Sequence, residues 1–383
     1  MPIYKVGKMK NKEGLQRYNV RVNYISDKGE YKQITRITYG KDNAKMLERE
    51  LQHEIENYGK NSVRKMTVKQ LFEEYFKVKK YEVRESTLEK AERNFNFHVA
   101  PTLANIQLDK LSFKVLQEWK MSIEEREGKK LALKTKRNIF SDFRTMLNYA
   151  VKMEYISKNP LTQVGNFKDA LATKKEIKFY TPEEFKKFID TAKDFALQKQ
   201  KQDKNLYEWN YYVFFNIAFY TGARKGEIHA LRWSDIDGSY LSIKRSLTQK
   251  LLGRDVETPP KNRSSIRTIQ IPLPLMAILD EHRKRQKKLF NFDENNRILG
   301  DERSLRDTSI QNRNILYAES AGVDRIRIHD FRHSHASLLA NMGINIQEVA
   351  RRLGHSKIEM TWNTYSHLYP KEEEKAMAVL NAV

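Results

Sequence analysis

HDFRHSHASLLANMGINIQEVARRLGHSKIEMTWNTY, residues 329–365, is the stretch from which the rest of the chain is best read. Its apolar spacing predicts one helix from His329 to Gly343 and a second from Ile344 to Leu353. Leu338, Leu339, Met342, Ile346, Val349 and Leu353 are the expected shared core. On the first helix His329 and Arg332 stand three residues apart, so both can face one anion. His355 follows in a Leu-Gly-His turn, and Tyr365 comes ten residues later. An arginine and two histidines can hold a phosphate without a metal, and a tyrosine beside them can attack it. A free phenol, with a pKa near ~10, is a poor nucleophile at neutral pH. Surrounding cations would favour the phenolate and the charge of the transition state. Tyr369 is a rival, and the chain has 19 tyrosines.

Two other chemistries compete for the same residues. The spacing of His329 and His333, with His335 close by, raises a metal site. Such sites want a third ligand and usually a glutamate inside the motif, and Asp330 points elsewhere on the helix. The helix pair also resembles a helix-turn-helix, which by itself would make a DNA-reading module.

Working outward, Thr221–Glu227 (TGARKGE) supplies a second arginine. Gly222 ends one helix, Arg224 opens the next, and Glu227 sits one turn later as a buttress. In Pro259–Ile269 (PPKNRSSIRTI), Lys261 lies in a turn before a strand, placed to give a proton to a leaving hydroxyl. Lys250, Arg263 and Arg267 compete for that role.

The remaining organisation is multidomain, mainly α with small β-sheets, as 383 residues suggest. Residues 1–60 alternate as strands, with Tyr18, Val20, Val22 and Tyr24 on one side, a turn at Asp27–Gly29, a possible third strand at Tyr4–Val6 and a closing helix over Lys41–Tyr58. Residues 64–165 read as helices: a capping box at Ser86–Glu89, a cap at Ser112, and a long helix over Leu133–Met153 with an apolar stripe. The aromatic residues of this segment are expected in its core. Lys-rich residues 166–178 suit a linker, and Thr181-Pro182-Glu183-Glu184 opens a helical block reaching about Leu231. Short strands are expected at Tyr240–Arg245, Ser246–Leu251 and Ile266–Pro272, with helices from Pro274 onward.

The net charge of +22 is spread as +5, +8 and +9 over residues 1–60, 61–165 and 166–383, which suits a protein lying along a polyanion. The absence of cysteine excludes disulfides, thiolate metal sites and cysteine nucleophiles. No leader or membrane-length apolar run is evident, so a cytoplasmic protein without membrane attachment is expected.

Together these motifs resemble the tyrosine recombinase (phage integrase) family. TGARKGE with the following LRWSDID is similar to its first arginine box. PKNRSSIRTI is similar to the hairpin lysine motif, with Asn262 where threonine is usual. HDFRHSHAS, LGHS and NTYSH match the His-x-x-Arg, second-histidine and tyrosine boxes, and the likeness spans about 179–383. More weakly, residues 64–165 resemble the family's core-binding domain. Residues 1–60 resemble the arm-binding domain of integrases from Gram-positive conjugative transposons and temperate phages.

The resemblance implies an integrase that joins and excises a mobile element through a 3′-phosphotyrosyl bond. Arg224 and Arg332 would clamp the scissile phosphate, His355 would donate to a nonbridging oxygen, and Lys261 would be the general acid. His329 would assist proton transfer from the phenol, and Tyr365 would be the nucleophile. No cofactor or metal is implied. The expected partners are double-stranded DNA at core and arm sites, three further copies of the chain in a tetramer, an excisionase or directionality factor, and a host DNA-bending protein. Residues 372–383, with Ala376, Met377, Val379 and Leu380 on one face, would form a helix exchanged between neighbours. A resolvase, a type IB topoisomerase-like activity, or a regulator on an inactive recombinase scaffold are the alternatives. The intact catalytic positions argue against the regulator, and the N-terminal sheet argues against the resolvase.

Overall fold

In the computed structural model, the described residues are 3–10, 14–25, 31–57, 66–125, 130–168, 177–203, 206–249, 255–259, 263–289, 291–300 and 304–369, with 377, 380 and 381. The chain divides into two compact units, Met1–Thr173 and Lys174–Val383.

The first unit opens with an antiparallel sheet of β1 (Ile3–Lys10), β2 (Gln16–Ile25) and β3 (Tyr31–Tyr39), in that order. Tyr4–Val6 is thus part of an edge strand. Alternation puts Val20 and Val22 on the face covered by α1 (Lys41–Asn57), where they meet Ala44 and Leu51. Helices then follow: α2 (Val68–Glu82), α3 (Glu85–His98), α4 (Ala100–Leu103), α5 (Phe113–Glu124), α6 (Leu133–Lys152) and α7 (Leu161–Val164). The α6 stripe of Phe140, Phe143, Met146, Leu147 and Ala150 is buried with Leu71, Phe95, Leu116 and Trp119.

Ser112 caps α5 through the Val115 amide, as expected. The box expected at Ser86–Glu89 is not one. Helix α3 begins at Glu85, because Arg84 O already accepts from the Thr87 and Leu88 amides, which leaves Ser86 inside the first turn. The reciprocal box lies instead at Thr67 and Gln70. Three aromatic side chains expected in the core, Tyr81, Phe97 and Phe113, are exposed, since they fall off the apolar faces of their helices.

In the second unit, Thr181 and Glu184 box the start of α8 (Pro182–Asp203). Helix α9 (Tyr207–Thr221) is apolar on nearly every side and is buried accordingly. Helices α8, α11 (Leu273–Leu289) and α13 (Asp330–Asn341) pack around it. Short α10 (Lys225–His229) leads into β4 (Ile236–Asp237) and β5 (Tyr240–Ile243), which pair with β8 (Arg267–Gln270). A separate hairpin joins β6 (Ser246–Gln249) to β7 (Asp255–Thr258). Strand β7, DVET, has no apolar alternation and was not foreseen.

Helix α12 (Asp307–Ala321) precedes α13, and α14 (Ile346–Leu353) and α15 (Ile358–Tyr365) complete the described helices. Ala336, Ala340, Val349, Leu353 and Tyr365 form a small core of their own. Met342, expected there, is exposed because it is the C-cap of α13, where the chain turns out at Gly343. Residues 169–176 of the linker expected over 166–178, and most of 370–383, where the exchange helix was expected, lie outside the described residues, and Met377 and Leu380 are exposed. Among the described residues no helix is long and apolar enough to cross a membrane.

Candidate active site

The ends of α9 and α14 build the site's most buried cation. Gly222 ends α9 in the left-handed conformation (φ +62°), and its carbonyl oxygen accepts from Arg332 Nη1 at 2.8 Å. Leu353, the last residue of α14, accepts from Arg332 Nη2 at 2.5 Å. Arg332 is 3% exposed, yet no carboxylate pairs with it among the described residues. Its support is instead the partial negative charge at two helix C-termini. Burial, with Arg224 and Arg267 nearby, lowers its pKa to about 9, still above neutrality, so the charge stays. Gly222 admits no side chain: a Cβ there would lie 2.7 Å from His335 Cδ2.

A second anchor is Glu227, buried on α10. Its carboxylate accepts from the Arg224 amide at 2.9 Å and from Arg224 Nη1 at 2.8 Å, the i, i+3 pairing expected of TGARKGE. It also accepts from Arg267 Nη2 at 2.9 Å. Burial alone would raise the carboxyl pKa, but Arg267 and Arg224 outweigh it and hold the group below the usual range. Arg267 donates further to Arg352 O at 2.6 Å and Ser265 O at 3.0 Å. Its guanidinium is therefore a buried prop, and the role of rival to Lys261 does not fit it. Lys225, the other cation of the motif, turns away to pair with Asp307.

Two arginines thus share one carboxylate, and a third, Arg332, is buried near them without one. Buried charge without a partner is costly, so a surplus of this kind marks a place prepared for an anion. Lys261, Lys250 and the side chain of Arg263 lie outside the described residues.

The histidines divide by partner. His335 is buried with Nδ1 2.9 Å from Phe219 O, and burial lowers its pKa to about 3, so it is a neutral structural group. His355 Nδ1 lies 2.8 Å from Thr361 Oγ1 on α15. Burial, then Arg332 and Arg224, lower its pKa to about 4. His329 is the exposed N-cap residue of α13. His333, one turn on, has Nδ1 2.6 Å from the hydroxyl of Tyr365.

Tyr365 ends α15 and is 2% exposed. Burial raises its pKa to about 12, opposed by Arg332, whose field reaches it. Tyr369 joins the same small core, and its hydroxyl has no hydrogen-bond partner among the described residues. The structure thus brings Arg224, Arg332, His355 and Tyr365 into one neighbourhood, with His329 at its rim. Sequence reasoning passed over Thr361, the Tyr365 contact of His333, and the anchoring of Arg267. The apparent histidine triad was the visible signal, read there as a possible metal site.

Residues 178–372 match the profile of the phage integrase family, and residues 67–123 match that of a phage integrase N-terminal SAM-like domain. The ICEBs1 integrase of Bacillus subtilis (strain 168) is 32% identical over 288 residues, covering 73% of this chain and 73% of its own. A protein of Caldanaerobacter subterraneus named tyrosine recombinase XerC-like is 27% identical, over 94% of this chain and 98% of its own. The Tn1549 transposon integrase, solved with transposon right end DNA, shares the fold with a TM-score of 0.65 at 21% identity. That likeness covers 83% of this chain and 100% of the other. The lambda integrase tetramer bound to a Holliday junction gives a TM-score of 0.55 at 16% identity, over 97% of this chain and 95% of its own.

Proposed function

This chain belongs to the phage integrase family, and from that premise we propose that it is a site-specific tyrosine recombinase that integrates and excises a mobile genetic element. The observation that carries the reading is the cationic surplus: Arg224 and Arg267 share the carboxylate of Glu227, while Arg332 is buried near them on backbone carbonyls alone, its field reaching the hydroxyl of Tyr365. Arg224 and Arg332 hold the scissile phosphate of duplex DNA, and His355 donates to a nonbridging oxygen. Tyr365 attacks phosphorus to give a 3′-phosphotyrosyl bond, while Lys261 protonates the leaving 5′ oxygen. The covalent bond keeps the energy of the broken linkage, so a 5′ hydroxyl from a partner duplex reverses the step.

The same proposal covers the parts around the site. Residues 1–60 bind arm-type DNA, 64–165 bind the core site, 166–178 link them to the catalytic region 179–383, and 371–383 dock on a neighbouring copy. A tetramer on DNA, a directionality factor and a host DNA-bending protein complete the assembly, in the cytoplasm. The similarity to the ICEBs1 integrase favours a conjugative element as the cargo. The integrase of Staphylococcus phage L54a, 24% identical over 86% of this chain and 96% of its own, supports a prophage as the second reading.

The test uses a nicked duplex spanning one end of the element that carries the gene. The native chain should form a denaturation-resistant adduct, and Tyr365→Phe should bind the duplex and form none. An adduct that persists in the variant moves the nucleophile to another residue, Tyr369 first.

A further inference from the structure

Among the described residues the hydroxyl of Tyr365 has one hydrogen-bonding partner, and it is not the histidine to which the family resemblance gives the phenolic proton. His333 Nδ1 stands 2.6 Å from Tyr365 Oη. His329 is exposed at the helix cap and makes no hydrogen bond to Oη. The two imidazoles meet edge to face, 5.3 Å between centroids at 89°, and only the second leans on the tyrosine ring, at 5.7 Å.

We propose that His333 is the proton acceptor for Tyr365. The proposal rests on the recombinase reading above and adds a catalytic residue to it. As Oη bonds to phosphorus, its proton passes to Nδ1 of His333. The P–O5′ bond breaks with its electron pair on the 5′ oxygen, which takes a proton from the general acid. On reversal the 5′ oxygen attacks, and the imidazolium returns its proton to the departing phenolate oxygen.

The surroundings set the direction of transfer. His333 is faced by His329 and Asp330 on its own helix, by Arg327 just before it, by Arg332, by His355 and by Tyr365 from α15. Asp330 is the one anion among them and is held by Arg327 at 2.8 Å. Burial and these cations lower the imidazole pKa to about 4, while burial raises the phenol to about 12. At neutral pH the imidazole is therefore uncharged and the phenol keeps its proton, so Oη–H donates to a bare Nδ1. The gap closes during reaction. Oη loses its basicity as it becomes an aryl phosphate oxygen, and the scissile phosphate brings a negative charge that stabilises the imidazolium.

The bland alternative is that His333 only holds the ring in place. His333→Gln separates the two roles, because its amide oxygen can accept the hydrogen bond but cannot keep a proton. Single-turnover adduct formation on the nicked duplex described above is followed from pH 6 to pH 9 for native, His333→Gln and His333→Ala chains. At pH 7 both variants should be slower by roughly 10²–10⁴-fold. Their rates relative to native should climb about tenfold per pH unit, as solvent hydroxide replaces the missing base. Added imidazole should rescue His333→Ala, and a 5′-bridging sulfur, which needs no proton to leave, should rescue neither variant.

A glutamine variant within about threefold of native, or variants whose relative rates stay flat with pH, would reduce His333 to a holding role. A native chain that forms no adduct overturns the parent reading and this one together. A normal native adduct with flat variant ratios overturns this one alone.

Discussion

The helical segment of residues 66–168 and the C-terminal unit handle buried polarity in opposite ways. In the helical segment the interior is apolar, and Asn94 is the one buried polar side chain among its described residues. It donates to Asp142 at 2.6 Å, and Glu74 takes the hydroxyls of Tyr149 and Tyr155 at 3.1 and 2.5 Å. Each of these donors meets an acceptor, and no lysine or arginine is fully buried among the described residues of the segment. The C-terminal unit buries Arg267 and Arg332, with a single carboxylate, Glu227, to answer for Arg267 and Arg224. The first pattern is what a scaffold needs. The second is unfavourable for folding and makes sense where an anion arrives to complete it.

Substituting the anchors sharpens this contrast most. Glu227→Ala leaves Arg267 buried and unpaired, and should lower the stability of the C-terminal unit by about 3–5 kcal/mol. Glu74→Gln in the helical segment keeps an acceptor and should cost about 1–2 kcal/mol. Urea unfolding followed by segment-resolved hydrogen exchange reads both, and equal losses would erase the distinction.

Acid comes next in size. The folded-state pKa values of His335 and His282 lie at about 3 and about 4, below the ordinary 6.5, because burial disfavours the imidazolium. A histidine depressed in this way is neutral in the folded state, so the unfolded chain takes up its proton first as pH falls. Their contribution is complete above pH 6.5 and is lost as pH descends towards 4 and 3. Each should remove on the order of 1 kcal/mol per pH unit across that window. The helical segment has only His98, so exchange at pH 5 against pH 7 should loosen the C-terminal unit selectively.

Two glycines give the finest comparison. Gly165 (φ +68°) has open space around its Cα, whereas a Cβ on Gly222 meets the His335 ring. Gly165→Ala should cost about 1 kcal/mol for the backbone alone. Gly222→Ala should cost more, about 1–3 kcal/mol, and should disturb the carbonyl that holds Arg332. Melting temperatures of the two variants measure the difference, and equal shifts would deny Gly222 its packing role.

What could be read from sequence follows the range of the interactions. Contacts within one helical turn were legible: Arg224 with Glu227, Thr181 with Glu184, and the α6 stripe. The Ser86 box failed even at that range, because its pattern fits several starting points and backbone hydrogen bonding chose Glu85. The anchoring of Arg267 was out of reach, since Arg352 O comes from 85 positions away. Neither could periodicity say which histidine meets the phenol. His329 and His333 share a helix face, and only the crossing of α15 over α13 decides between them.

That crossing helix has a consequence for how the site is armed. Thr361 and Tyr365 lie four residues apart on α15, the first bonded to His355 and the second to His333. A rigid rotation of α15 would therefore cut both ties together. The proposed nucleophile and the group proposed to steady the phosphate behave as one lever, so a state with one in place and the other withdrawn requires α15 itself to bend. Under the proposed function, in which a phosphodiester stays intact until an assembly is complete, such coupling would act as a safety catch with a single release.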